Sequence, residues 1–152
     1  MFWRLLAGWL ALDQLTKYLV LNYLPEGNSI PIWPGVFHLT HVSNPGAAFG
    51  LMPFKTGLFL LVALVVVAVV LFYLPRIGRE QLWLRTALAL QAAGAIGNAI
   101  DRLRFGYVVD FLDFQVWPVF NVADIGITVG VGMLIWHLWQ QEKKEEVSEH
   151  EG

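Results

Sequence analysis

The chain has no cysteine and only three serines, Ser29, Ser43 and Ser148. The first absence removes disulfides, thiol catalysis and thiolate metal sites. None of the serines stands in a Gly-x-Ser-x-Gly turn, so a serine nucleophile of that kind has no place. No His-Glu-x-x-His motif is present, and the four histidines, His38, His41, His137 and His150, show no zinc-protease spacing. Charge is scarce as well. Charged residues make up 14% of the 152, against about a quarter in soluble domains. The net charge of −2 gives no electrostatic footprint for a nucleic acid. There is no long repeat and no low-complexity tract.

What is present is apolar. Hydrophobic residues account for 57% of the chain, and the mean hydropathy is +0.56. The composition points to a membrane protein, and the length allows one domain with four spanning helices at ~20 residues each. The clearest span is 57–74, an uncharged run of Leu, Val, Ala and Phe that stops at Pro75. A second, 3–23, is interrupted by Asp13 and Lys17. No small-residue cleavage site follows it, so it reads as a retained helix. A third covers 83–100 despite Arg85, Gln91 and Asn98, and a fourth covers 122–139 with Asp124 near its start. Residues 1–141 thus form one membrane domain, and the charged segment 142–152 reads as a solvated cytoplasmic tail that frays.

Lys and Arg placement sets the orientation. With both termini cytoplasmic, Arg4, Arg76, Arg79, Arg85, Lys143 and Lys144 lie inside, and Lys55, Arg102 and Arg104 outside. Segments 22–56 and 101–121 then face outward, and Trp33, Trp117, Tyr23 and Tyr107 fall at the headgroup boundary. Within the first outer segment, Val36–Val42 is β-branched and aromatic and is bounded by Pro34-Gly35 and Asn44-Pro45-Gly46. It reads as a short strand.

Against this background two acids stand out. Asp110 lies in Val-Val-Asp-Phe and Asp124 in Phe-Asn-Val-Ala-Asp. A carboxylate near hydrocarbon costs several kcal/mol, roughly 2.5–3.5 on insertion scales. Two facing one site can share a proton and activate water. Asp113, in the same outer loop as Asp110, is a rival that spacing alone does not exclude. Gln91, Gly94, Asn98 and Asp101 share one helix face. Gln91 and Gly94 read best as helix glue, whereas Asn98, Asp101 and Arg102 converge at one end. Asn121 and Asp124 are both suited to capping a helix N-terminus. Asp13 and Lys17, four residues apart, suit an intrahelical ion pair. Alternatively Asp13 bonds the backbone near Asn44–Gly50. The residues alone leave a channel or proton-coupled carrier, and a non-catalytic assembly protein, beside a hydrolase.

Five motifs narrow the choice: Asp13-Gln-Leu-Thr-Lys17, Asn44-Pro-Gly-Ala-Ala-Phe49, Gly94-Ala-Ile-Gly-Asn-Ala-Ile-Asp-Arg102, Gly106-Tyr-Val-Val-Asp-Phe111 and Phe120-Asn-Val-Ala-Asp124. In this order they resemble the lipoprotein (type II) signal peptidases of bacteria over nearly the whole chain. Two positions depart from that pattern: Ala93 where a second glycine is usual, and Pro45 where threonine is common. Neither replaces an acid or an amide. The resemblance implies four transmembrane helices with a small extracytoplasmic β-cradle and an outer loop or helix over the site. It implies Asp110 and Asp124 as the catalytic pair, which sets Asp113 aside. Asn44, Asn98, Asp101, Arg102 and Asn121 then line or brace the site, and Asp13 and Lys17 support the fold. The implied substrate is a lipidated prolipoprotein, cut before its diacylglyceryl-modified cysteine. The implied enzyme is a monomer of the bacterial cytoplasmic (inner) membrane, in contact with membrane lipids, without metal or organic cofactor.

Overall fold

The computed structural model describes residues 1–46 and 56–150. Lys55 and the Ala47–Phe49 part of the Asn44–Phe49 motif lie outside the described residues. The elements are α1 (Phe2–Tyr23), β1 (Ser29–Trp33), β2 (Phe37–Asn44), α2 (Thr56–Tyr73), a 3-10 turn (Leu74–Arg76), α3 (Leu82–Phe105), β3 (Val108–Asp113) and α4 (Val122–His150).

Each boundary has a local cause. Pro75 cannot continue α2, and the chain tightens there into the 3-10 turn. Gly106 ends α3 in the left-handed region, φ 82, with Arg102 and Arg104 in the last turn, where cations complement the carbonyl ends. α3 therefore runs five residues past Ile100, where the hydropathy fades. α4 continues past Trp139 to His150. Glu and Lys, which crowd that stretch, are good helix formers.

α3 is the hub. It packs against α1, α2 and α4, and Ala87–Ala95 is buried except at Gln91. Close approach depends on missing side chains. A Cβ on Gly94 would lie 2.3 Å from the Ala123 carbonyl oxygen, and one on Gly97 would lie 2.4 Å from Asp13 Oδ2. Larger residues would push α4 and α1 away from α3. Among the described residues, two helical segments, 56–76 and 122–143, are long and apolar enough by themselves to cross a membrane. α1 and α3 fall short by that measure because Asp13, Lys17, Arg85, Asp101 and Arg102 interrupt them.

The strand expected at Val36–Val42 is β2, shifted by one to two residues, and it belongs to a three-stranded antiparallel sheet of order β1-β2-β3. The segment carrying Asp110 is strand, not loop. Asp110 pairs with Val42, and Asp113 pairs with His38. Between Leu39 and Val42 the register slips: Thr40 and His41 oppose Phe111 alone, a bulge that re-aims the local side chains. The buried His41 ring then reaches the Leu24 carbonyl through Nδ1 at 2.7 Å. That contact ties β2 to the end of α1.

Candidate active site

The start of α4 is built by side chains from elsewhere. Asn121 precedes the first helical residue. Its Oδ1 accepts the Asp124 amide at 2.9 Å, and Asp124 Oδ2 accepts the Asn121 amide at 3.2 Å. This is a reciprocal capping box with aspartate in the acidic position. The next free donor, the Ala123 amide, goes to Asp13 Oδ1 on α1 at 2.8 Å. The capping reading of Asn121 and Asp124 thus holds for both residues. It does not exhaust them, because each has a further partner.

Asn121 Nδ2 donates to Asp110 Oδ1 at 2.7 Å and to Asn98 Oδ1 at 3.1 Å. Asn98 Nδ2 donates to Asp124 Oδ1 at 2.8 Å. Asn44 Nδ2 donates to Asp110 Oδ2 at 2.7 Å. All four carboxylate oxygens of the two acids therefore accept a hydrogen bond, and Asn121 touches both acids. Behind them sits Lys17, 2% exposed. Its Nζ meets Asp13 at 3.0 Å, Asp101 at 2.9 Å and Asn98 Oδ1 at 2.9 Å. Because a cation and the Asn121 amide both claim Asn98 Oδ1, the Asn98 amino group is left facing Asp124. Asp101 in turn accepts the Val109 amide at 3.1 Å and holds β3 one residue from Asp110.

The structure therefore brings Asp13, Lys17, Asn44, Asn98, Asp101, Asp110, Asn121 and Asp124 into one hydrogen-bonded network. Asp13 reaches the start of α4; of the Asn44–Gly50 stretch offered as its alternative partner, 47–50 lie outside the described residues. Arg102 stands apart. Among the described residues both ion pairs belong to Lys17, and the Arg102 guanidinium lies over the Phe59 ring at 4.5 Å. It lines the same cleft as the acids. Asp113 is engaged elsewhere, accepting Thr40 Oγ1 at 2.7 Å and the Gln115 amide at 2.8 Å. Sequence reasoning missed Gln14, whose Nε2 bridges Asp13 and Asp101 at 3.1 and 3.2 Å. Its place beside Asp13 in the first motif was the available signal. It also missed Trp9, which donates through Nε1 to the Val122 carbonyl at 3.1 Å.

The acids open on a cleft of about 1230 Å³ between α2, α3, α4 and the sheet. Asn44, Asp110, Asp124 and Arg102 line it, and much of the rest of its wall is Val, Ile and Ala. Burial pushes the Asp110 carboxyl up from 3.8 to about 7, and the Asp124 charge adds to that rise. The bonds from Asn44 and Asn121, and the more distant Lys17 cation, oppose it only in part. Near neutral pH Asp110 therefore exchanges a proton readily, as a group that handles protons must.

Two carboxyls on one amide scaffold, beside a long apolar groove, define a membrane-embedded hydrolase of the acid–base type. The comparisons agree with that class. A family model described as signal peptidase II matches residues 5–140. A lipoprotein signal peptidase of Halothermothrix orenii is 50% identical over 87% of this chain and 90% of its own. Another, of Moorella thermoacetica, is 50% identical over 85% and 86%. A solved bacterial membrane enzyme structure superposes with a TM-score of 0.89 at 29% identity, covering 94% of this chain and 90% of that one. The chain belongs to the signal peptidase II family.

Proposed function

We propose that this chain is an intramembrane aspartyl endopeptidase that removes signal peptides from bacterial prolipoproteins, cutting before the diacylglyceryl-modified cysteine. The observation that carries the reading is Asn121, bonded to Asp110 through its side chain and to Asp124 through its backbone, at the mouth of an apolar cleft. In this reading all four long helices span the cytoplasmic membrane. Both termini are cytoplasmic, 142–152 is the cytoplasmic tail, and the sheet lies at the outer face. The enzyme works as a monomer, with no cofactor. Hydropathy supports spans by α2 and α4 on their own. α1 and α3 join them because Lys17 pairs with Asp13 and Asp101 inside the bundle, where an unpaired ion would be costly.

Catalysis follows from the pair. One carboxylate is ionised and takes a proton from water, and that water attacks the scissile carbonyl. The protonated partner hydrogen-bonds the developing oxyanion and then gives its proton to the leaving amine. Asn98 and Asn121 hold the acids' oxygens, so neither carboxylate reorients during the step. Arg102, with no acidic partner among the described residues, is placed to meet a substrate carbonyl at the cleft. The acyl chains of the modified cysteine stay in lipid while the signal helix enters the groove.

The test is cleavage of a lipidated precursor by purified enzyme. Asp110→Asn and Asp124→Asn each lower kcat by at least ~100-fold, while Asp113→Asn retains substantial activity. Unlipidated precursor is a poor substrate. Full loss in Asp113→Asn means that the wrong acids are paired, and equal turnover of both precursors removes the lipid-anchoring part.

A further inference from the structure

The mechanism leaves several polar groups of the cleft unused, Gln91 on the α3 wall among them. Gln91 interrupts the buried run of α3 and lines the inner part of the groove, among Ala63, Val66, Ile127 and Val131. Its Nε2 is buried and has no hydrogen-bond partner among the described residues. The stem is held in place by Gly130 on α4: a Cβ there would come within 2.6 Å of Gln91 Cγ. A buried amide left unpaired costs about 1–3 kcal/mol in a protein, and several in hydrocarbon. The terminal amide torsion of glutamine is broad, so the group turns toward whatever enters the groove. Its partner must therefore come with the occupant.

Depth identifies the partner, given the reading of the groove as a signal-peptide site. Gln91 lies two helical turns below Asn98, about 10 Å along α3. A scissile peptide bond has to be presented in extended chain, because a helix shields its carbonyl. Three extended residues also span about 10 Å. A signal helix that unwinds to reach the acids thus ends at the depth of Gln91. The last four carbonyls of any helix have no intrahelical partner. We propose that the Gln91 side-chain amide receives one of these free backbone carbonyls, about three residues before the scissile bond, and so fixes where the signal helix stops and the cleavable segment begins. The contact reads backbone and not side chain, which suits an enzyme whose substrates differ in sequence there.

The experiment uses synthetic lipidated precursors with the full enzyme in lipid. Gln91→Leu raises KM roughly 3- to 10-fold, the worth of one hydrogen bond, and leaves kcat within about twofold. Gln91→Met, unbranched like glutamine, is the second variant should Leu fail to pack on Gly130. A set of precursors then carries an alkene isostere, which deletes one carbonyl, at successive peptide bonds upstream of the cut. At one bond near the third residue the isostere raises KM for the wild type and has no further effect in Gln91→Leu. An unchanged KM in both variants, or losses that simply add at every bond, overturns the inference while leaving the peptidase reading intact. A wild type that does not cut any lipidated precursor overturns the reading itself, and this inference with it.

Discussion

α2 and the α1–α3–α4 group are opposite in character. α2 is uncharged from end to end, yet within 56–76 only 11% of the most apolar window is buried inside the protein. Leu64, Leu61 and Phe72 are all more than half exposed. The other three helices and the residues at their ends carry most of the polar network, and those groups are the buried ones: Asp13, Lys17, Asp101 and Asn121 are each 2% exposed or less. Hydropathy in a membrane protein reports what faces lipid. The network that holds the acids draws on the helices with the weaker apolar signal, because polar groups can persist in a bilayer only when other elements satisfy them.

Substitutions on the two sides sharpen the contrast, the largest effect coming first. Lys17→Met leaves Asp13 and Asp101 without their cation and costs about 3–5 kcal/mol, measured by unfolding in mixed micelles. The Asp13→Asn/Lys17→Met/Asp101→Asn triple variant recovers a large part of that loss. Gly97→Ala comes next. The new methyl would meet Asp13 Oδ2 at 2.4 Å, and overpacking of that kind costs about 1–3 kcal/mol. Gly57→Ala on α2, with nothing within 4 Å, costs nothing by the same measurement.

A pH profile probes the polar side without unfolding it. Loss of the single shared proton sets the alkaline limb of kcat/KM, near the Asp110 value of about 7. Asn44 donates to Asp110 and favours its ionised form. Asn44→Ala therefore raises the Asp110 pKa and moves the alkaline limb upward by about half a unit to one unit. A limb that stays in place, or moves down, contradicts the assignment of that proton. The smallest effect belongs to α2. Leu64→Ala, at a position 66% exposed, changes stability by less than about 0.5 kcal/mol. A loss comparable to that of Gly97→Ala would mean that this face packs against protein.

The pair Asp110 and Asp113 marks the limit of reading the chain alone. Both lie in one short stretch with similar neighbours, and spacing did not separate them. Only the resemblance to a family did so before the fold was known. The structure separates them by pairing. They are three residues apart on β3, which turns them to opposite faces. One face meets Asn44 and Asn121, and the other meets Thr40 and Gln115. Asp13 is a second such case. Its four-residue spacing from Lys17 made the ion pair legible. Its bond to the Ala123 amide, 110 residues away in sequence, was not. Gln91 is a third: read as helix glue, it has an amide donor that nothing among the described residues satisfies.

The amino-acid sequence determined the long helices, the stops at Pro75 and Gly106, and the residue types able to move protons, because these follow from local propensity and from the cost of charge in lipid. Tertiary structure alone decided that Asp110 and Asp124 meet across Asn121, that Lys17 orients Asn98, and that Asp113 faces away. Those outcomes depend on strand register and on how closely glycines let helices approach, and neither is encoded within any one segment.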